Sequence, residues 1–101
     1  MPIVSEDAMP EFRRNDPGYR RWSAAHPGQR VLNIHNSLAT GDARIHRANC
    51  PTITGRPTRG QNWTIHYIKV CLPRNRDLDA WVRRNIPGQG TPIPRCRRCR
   101  P

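Results

Sequence analysis

The chain closes on PIPRCRRCRP, residues 92–101, in which two cysteines stand two residues apart among arginines, with a proline on either side. No other stretch restricts the fold as strongly. Two intervening residues let both thiolates of a Cys-x2-Cys turn point at one ion, so the pair reads as half of a tetrahedral metal site. The other half must come from elsewhere, and the chain must fold back to meet it. That closure matters because the interior is thin. Only 35% of the 101 residues are hydrophobic, and 11 are proline. A single domain of this size with so few apolar side chains is marginal without a metal, disulfides or a partner. A structural Zn2+ supplies folding free energy on the order of 10 kcal/mol, more than such a core leaves as surplus.

The remaining ligands are sought among His46, Cys50 and Cys71. The run HRANC offers His46-x3-Cys50, a ligand at a strand end and another four residues on, and Pro51 suits the start of the turn that follows. Cys71 competes with His46, because using every cysteine makes an all-thiolate site. If the strand 63–71 pairs antiparallel with the strand ending at His46, Cys71 lies at its far end, roughly 25 Å from the metal at about 3.3 Å per residue. That pairing favours His46, Cys50, Cys96 and Cys99 as ligands and leaves Cys71 as a small buried hydrophobe. The four-cysteine set is the alternative.

Hydrophobic periodicity places these motifs on elements. Residues 1–14 read as a flexible arm, and 15–101 as one domain. In NDPGYRRWSAAHPG (15–28), Asp16 caps a helix of about two turns, Pro17 suits its first turn, and Tyr19 and Trp22 share its inner face. RVLNIHN (30–36) alternates, with Leu32 and Ile34 on one side. A turn at Thr40-Gly41-Asp42 precedes a returning strand, 43–46. The segment 56–62 is a basic loop, and WTIHYIKVC (63–71) is the strongest strand signal, with Ile65 and Tyr67 on one face and His66, Ile68 and Val70 on the other. In 74–85, capped by Asn75 or Asp77, the spacing of Leu78, Trp81 and Val82 predicts a helix packed on the sheet. The expected fold is therefore α+β: an antiparallel sheet of about three strands, two short helices and the cysteine turn.

Charge bounds the partner. Lys plus Arg is 18 against 7 for Asp plus Glu, a formal net charge of +11, and Lys69 is the only lysine. Arginine forks match phosphate oxygens and guanine edges, so the excess points to a nucleic acid. Arg44, Arg47, Arg97 and Arg98 flank the proposed ligands, and Arg56 and Arg59 sit in the basic loop. These six are the candidate contacts, with Trp63 or Tyr67 as stacking side chains unless core packing claims them. The opening MPIVSEDAMPEF is acidic and lacks an apolar signal region, and no apolar run approaches a membrane span, so a cytosolic protein with reduced thiols is expected.

The run IHRANCP, then a strand, a helix and PRCRRCRP, resembles the amino-terminal zinc domain of the bacterial Ada alkylation-repair proteins over residues 43–101. The resemblance implies the fold and a DNA habit. His46 stands where that family carries the thiolate that accepts a methyl group from DNA phosphotriesters, which removes the acceptor. The order of NDPGYRRWSAAHPGQRVLNIHN, RIHRANCPTI, WTIHYIKVC, LDAWVRR and CRRCRP is also similar to an accessory domain found beside HNH-type and other restriction nucleases in actinobacteria. That resemblance implies a module that recognises DNA, cytosine-methylated DNA included, for a separate nuclease domain or subunit. NIHNS holds a His-Asn pair but lacks the acidic and metal-ligand partners of an HNH site, so no catalytic residue is expected. A metal-thiolate repair enzyme, a small nuclease and an RNA-binding or interaction module are the alternatives.

Overall fold

A strand buried on both faces needs cover on both, and helices supply it on either side of the sheet. The structure, a computed structural model, describes residues 11–54 and 64–101. Its elements are β1 (Glu11–Phe12), α1 (Asp16–Ala25), β2 (Arg30–His35), β3 (Arg44–Arg47), α2 (Pro51–Thr54), β4 (Tyr67–Leu72) and α3 (Asn75–Asn85). The strands form one sheet in the order β1-β4-β2-β3, with every neighbouring pair antiparallel. Against one face, Leu32, Ile34, Ile45, Ile68 and Val70 pack under Leu78, Trp81 and Val82 of α3 and under Ile93 of the tail. On the other face Val31, Cys71 and Phe12 meet Tyr19 and Trp22 of α1, Ile53 of α2, and the half-buried Cys96 and Cys99. The inward stripe of α3 and the aromatic pair of α1 are thus core, as their spacing predicts.

The sheet has four strands where about three were expected. The extra strand is β1, which pairs Phe12 with Lys69 and Glu11 with Val70, so residues 11 and 12 of the expected arm belong to the sheet. Their alternation is too short to register as a strand signal. The first helix is ten residues long rather than about two turns. Its cap is Asn15, whose Oδ1 accepts from the Gly18 N–H at 3.0 Å, not Asp16. Gly18 is the residue that fits there, since a Cβ would lie 2.5 Å from the Asn15 side chain. Asp16 serves a distant partner instead: its carboxylate accepts from the Thr64 N–H at 2.8 Å and from the Thr64 hydroxyl at 2.5 Å, tying α1 to the entry of β4. The strand expected over 63–71 begins at Tyr67, because 64–66 bend away, and Trp63 lies outside the described residues. At α3 the Asp77 carboxylate accepts the Arg74 N–H at 3.1 Å and so caps the helix from its first turn.

One buried cation interrupts the second core. Lys69 is 3% exposed; its Nζ donates to Asn33 Oδ1 at 2.6 Å and lies 5.8 Å from the ring centroids of both Tyr19 and Tyr67. Burial lowers its pKa to about 8, outweighing the upward pull of Cys71 and Asp16. A base held below its ordinary value of 10.5 carries its full desolvation cost below pH 8, where both folded and unfolded states are protonated. As pH rises from 8 towards 10.5 the folded state has lost that proton while the unfolded state keeps it, so stability increases by up to about 3 kcal/mol. Above pH 9 the raised Cys71 and Cys99 thiols pull stability the other way, so the Lys69 share is read as the difference between the parent and Lys69→Met in urea unfolding across this window, and that difference should shrink as pH rises.

Candidate metal centre

The centre forms where the tail returns to the sheet edge. The outer edge of β3 is open to a further strand, and residues 94–96 take it. The Ile45 N–H donates to the Pro94 carbonyl at 3.0 Å, and the Cys96 N–H donates to the Ile45 carbonyl at 2.8 Å. This parallel bridge of Ile45 with Arg95 delivers Cys96 beside His46. The chain then turns through 97–99, and Arg100 adopts a left-handed φ of 48° that brings its N–H back to the Cys96 carbonyl at 3.0 Å. On the opposite side β3 ends at Arg47, and a tight turn with Cys50 N–H donating to the Arg47 carbonyl at 3.0 Å leads into α2. His46 and Cys50 therefore come from a strand end and a turn, as their spacing suggests.

The ligand atoms of His46, Cys50, Cys96 and Cys99 all lie within 4.8 Å of one another and could hold a metal ion. Cys50 Sγ and Cys96 Sγ are 3.9 Å apart. Tetrahedral thiolates at about 2.3 Å from an ion stand roughly 3.8 Å from each other, so this separation fits one edge of such a site. It is far too long for a disulfide, and no disulfide joins any of the four cysteines, all of which are described. His46 and Cys50 are buried, and Cys96 and Cys99 are half-buried.

The surroundings prepare the donors for a cation. Burial, helped by the charges of Lys69 and Arg44, lowers the His46 pKa to about 4, so the imidazole is neutral with a lone pair to give. Burial pushes Cys96 up, but backbone N–H groups of Cys99 and Arg98 and the Cys99 and Cys50 thiols outweigh it, and the net direction is down. Burial raises Cys99 to about 11, aided by Cys50 and Cys96 and opposed by the Arg47 N–H, which donates to Cys99 Sγ at 3.1 Å. Once one thiolate forms, its neighbours resist ionising; a divalent cation among them removes that repulsion. Thr52 joins two ligands from outside. Its hydroxyl stands 3.0 Å from Cys50 Sγ and 3.4 Å from His46 Nδ1, the placement of a group that orients a metal ligand. Sequence reasoning missed it; a hydroxyl two residues beyond a ligand cysteine was the available signal.

Cys71 stands elsewhere, and for a different reason from the one expected. β4 does not pair with β3. β2 lies between them and pairs with both, so β3 and β4 run in the same direction, and Val31 is opposite His46 on one side and Cys71 on the other. Cys71 is level with His46 at two strand spacings, roughly 10 Å, rather than at the far end of the sheet. Val31 separates them, and Cys71 lies outside the ligand group. It is buried at 3% exposure, and its thiol is raised by that burial. Two substitutions separate the candidate sets. Cys71→Ala should leave metal content at one equivalent, whereas His46→Ala should lower affinity at least tenfold, measured by competition with a chromogenic chelator.

Of the six arginines expected at a nucleic-acid surface, the described residues include four. Arg97 and Arg98 are exposed on the cysteine turn, and their guanidinium groups make no hydrogen bond or ion pair among the described residues. Arg44 is exposed on β3, and its Nη1 donates to the Ala43 carbonyl at 2.7 Å. Arg47 is spent on the fold: its Nε and Nη2 donate to the Cys99 and Arg100 carbonyls at 2.9 and 3.2 Å, clamping the turn. Arg56 and Arg59 lie outside the described residues, as does Trp63. Tyr67 is half-buried; its hydroxyl donates to Asp42 at 2.5 Å, and its ring meets His35 edge-on. No helix among the described residues is long and apolar enough to cross a membrane. The chain matches no protein-family model, no curated protein and no solved structure.

Proposed function

We propose that this chain is a zinc-stabilised DNA-binding module. Three thiolates and one imidazole form a soft, four-membered donor set of the kind that suits zinc. Four protein ligands fill a tetrahedron and leave no position for a water or substrate, which favours a structural ion over a catalytic one. DNA as the partner rests mainly on how the charges are paired. Of the five acidic residues in the described part, Glu11, Asp77 and Asp79 are ion-paired with Arg13, Arg74 and Arg95, and Asp16 and Asp42 accept hydrogen bonds from Thr64 and Tyr67. Arg97 and Arg98, on the rim of the metal site, remain uncompensated. A rigid turn carrying two such forks is suited to phosphate oxygens.

Binding should therefore depend steeply on salt. Each phosphate neutralised on B-form DNA contributes about −0.9 to the slope of log affinity against log salt. Fluorescence anisotropy with a labelled duplex should give a slope of several units, and Arg97→Ala with Arg98→Ala should reduce it by roughly 2. Plain duplex, cytosine-methylated duplex and single-stranded RNA measured side by side identify the preferred class. Affinity that ignores salt, or preference for RNA, contradicts the proposal.

A further inference from the structure

The outer side of α3 carries arginines to which the metal centre gives no role. With Leu78, Trp81 and Val82 turned into the core, Arg76, Arg83 and Arg84 are exposed, and their guanidinium groups make no hydrogen bond or ion pair among the described residues. Positions 76, 79 and 83 follow one line along the helix, at i, i+3 and i+7. The middle residue of that line is Asp79, a carboxylate that would repel a polyanion. It is neutralised by a two-pronged contact from the tail: Arg95 Nη2 to Asp79 Oδ2 at 3.1 Å and Arg95 Nη1 to Asp79 Oδ1 at 3.3 Å.

Arg95 is the residue whose backbone bridges to Ile45, and the next residue is the ligand Cys96. The same closure that builds the metal site thus cancels the one negative charge on this line of α3. On the other flank Asp77 is held by Arg74.

We infer that α3 enters the major groove of duplex DNA, with Arg76 and Arg83 reading base edges. The inference rests on the DNA-binding reading and deepens it by naming the selecting residues. Its physical support is size and charge. Eleven residues make a helix about 16 Å long, and a groove about 12 Å wide admits one. Seven residues of rise separate Arg76 from Arg83 by about 10 Å, roughly three base-pair steps. A guanidinium fork pairs with guanine O6 and N7, and each such contact discriminates by about 1–3 kcal/mol, or roughly 5- to 150-fold.

The test uses the intact metal-loaded chain and a short duplex pool with a randomised centre. Selection on the parent should enrich a motif, and the selected duplex should bind at least tenfold tighter than a scrambled one. Replacing both groove residues, Arg76→Gln with Arg83→Gln, should bring that ratio to within about threefold. Arg97→Gln with Arg98→Gln should weaken both duplexes alike. A second pair, Arg76→Lys with Arg83→Lys, keeps the charge and removes the fork; it should keep the salt slope and lose the preference, and it decides the matter if the glutamine pair does not fold. Unchanged preference in the α3 variants, or no preference in the parent, overturns the inference and leaves DNA binding standing. A parent that shows no salt-dependent affinity for any duplex removes the functional reading and this inference with it.

Discussion

Adding a strong chelator to the purified protein should unfold it, and returning Zn2+ should refold it. The tail makes its way back to the sheet through two backbone hydrogen bonds to Ile45, the Arg47 clamp and the packing of Cys96 and Cys99 on the second core. Without an ion, three thiols and an imidazole crowd within 4.8 Å and lose the cation that lets the sulfurs carry charge together. A bound structural zinc supplies on the order of 10 kcal/mol, against a total stability for small domains of about 5–15 kcal/mol. Thermal melting followed by near-ultraviolet circular dichroism should lose its cooperative transition in excess chelator. Cys96→Ser and Cys99→Ser should each reproduce that loss without chelator. A melt that is indifferent to chelation contradicts the metal's structural role.

Trp81→Ala should destabilise the zinc-saturated protein by about 3–5 kcal/mol, the usual cost of emptying a buried tryptophan site. Trp81 is 3% exposed and joins α3 to the face of the sheet carrying Leu32, Ile34, Ile45, Ile68 and Val70. This core lies on the side of the sheet away from the metal ligands, so the loss should appear in urea unfolding while metal content stays at one equivalent. A cost below about 1 kcal/mol would show that α3 does not pack through this residue. Metal loss in the variant would show instead that the two faces are not independent.

The candidate metal cluster was legible because its chemistry is local. Cys96-x2-Cys99 is a turn that can be recognised without its surroundings, and His46 and Cys50 are close in sequence. Leu78, Trp81 and Val82, and the pair Tyr19 and Trp22, declared their buried faces through helical spacing. What could not be read was how the strands are ordered. Alternation in 30–36 and 63–71 marks strands but not neighbours, and inserting β2 between β3 and β4 moved Cys71 from the far end to a position level with His46. The ligand assignment excluding Cys71 agrees with the observed cluster, although the pairing used to argue for it does not occur. Non-local polar contacts were equally hidden. Nothing local announces that Asp16 reaches Thr64, that Arg47 holds the tail's carbonyls, or that Arg95 forks onto Asp79. Each side chain has an ordinary surface or capping role in its own segment, and only the folded chain brings its partner near. Lys69 belongs to the same class: a lysine in a strand reads as solvent-facing until a helix is laid over it.

X-ray absorption at the zinc edge of the purified protein measures the ligand set directly. Three sulfur scatterers at about 2.3 Å and one nitrogen at about 2.0–2.1 Å, on one zinc per chain, are the expected shell. Four sulfurs would bring Cys71 in place of His46, and a shell of oxygens, or no stoichiometric metal, would contradict an ion held by these four residues.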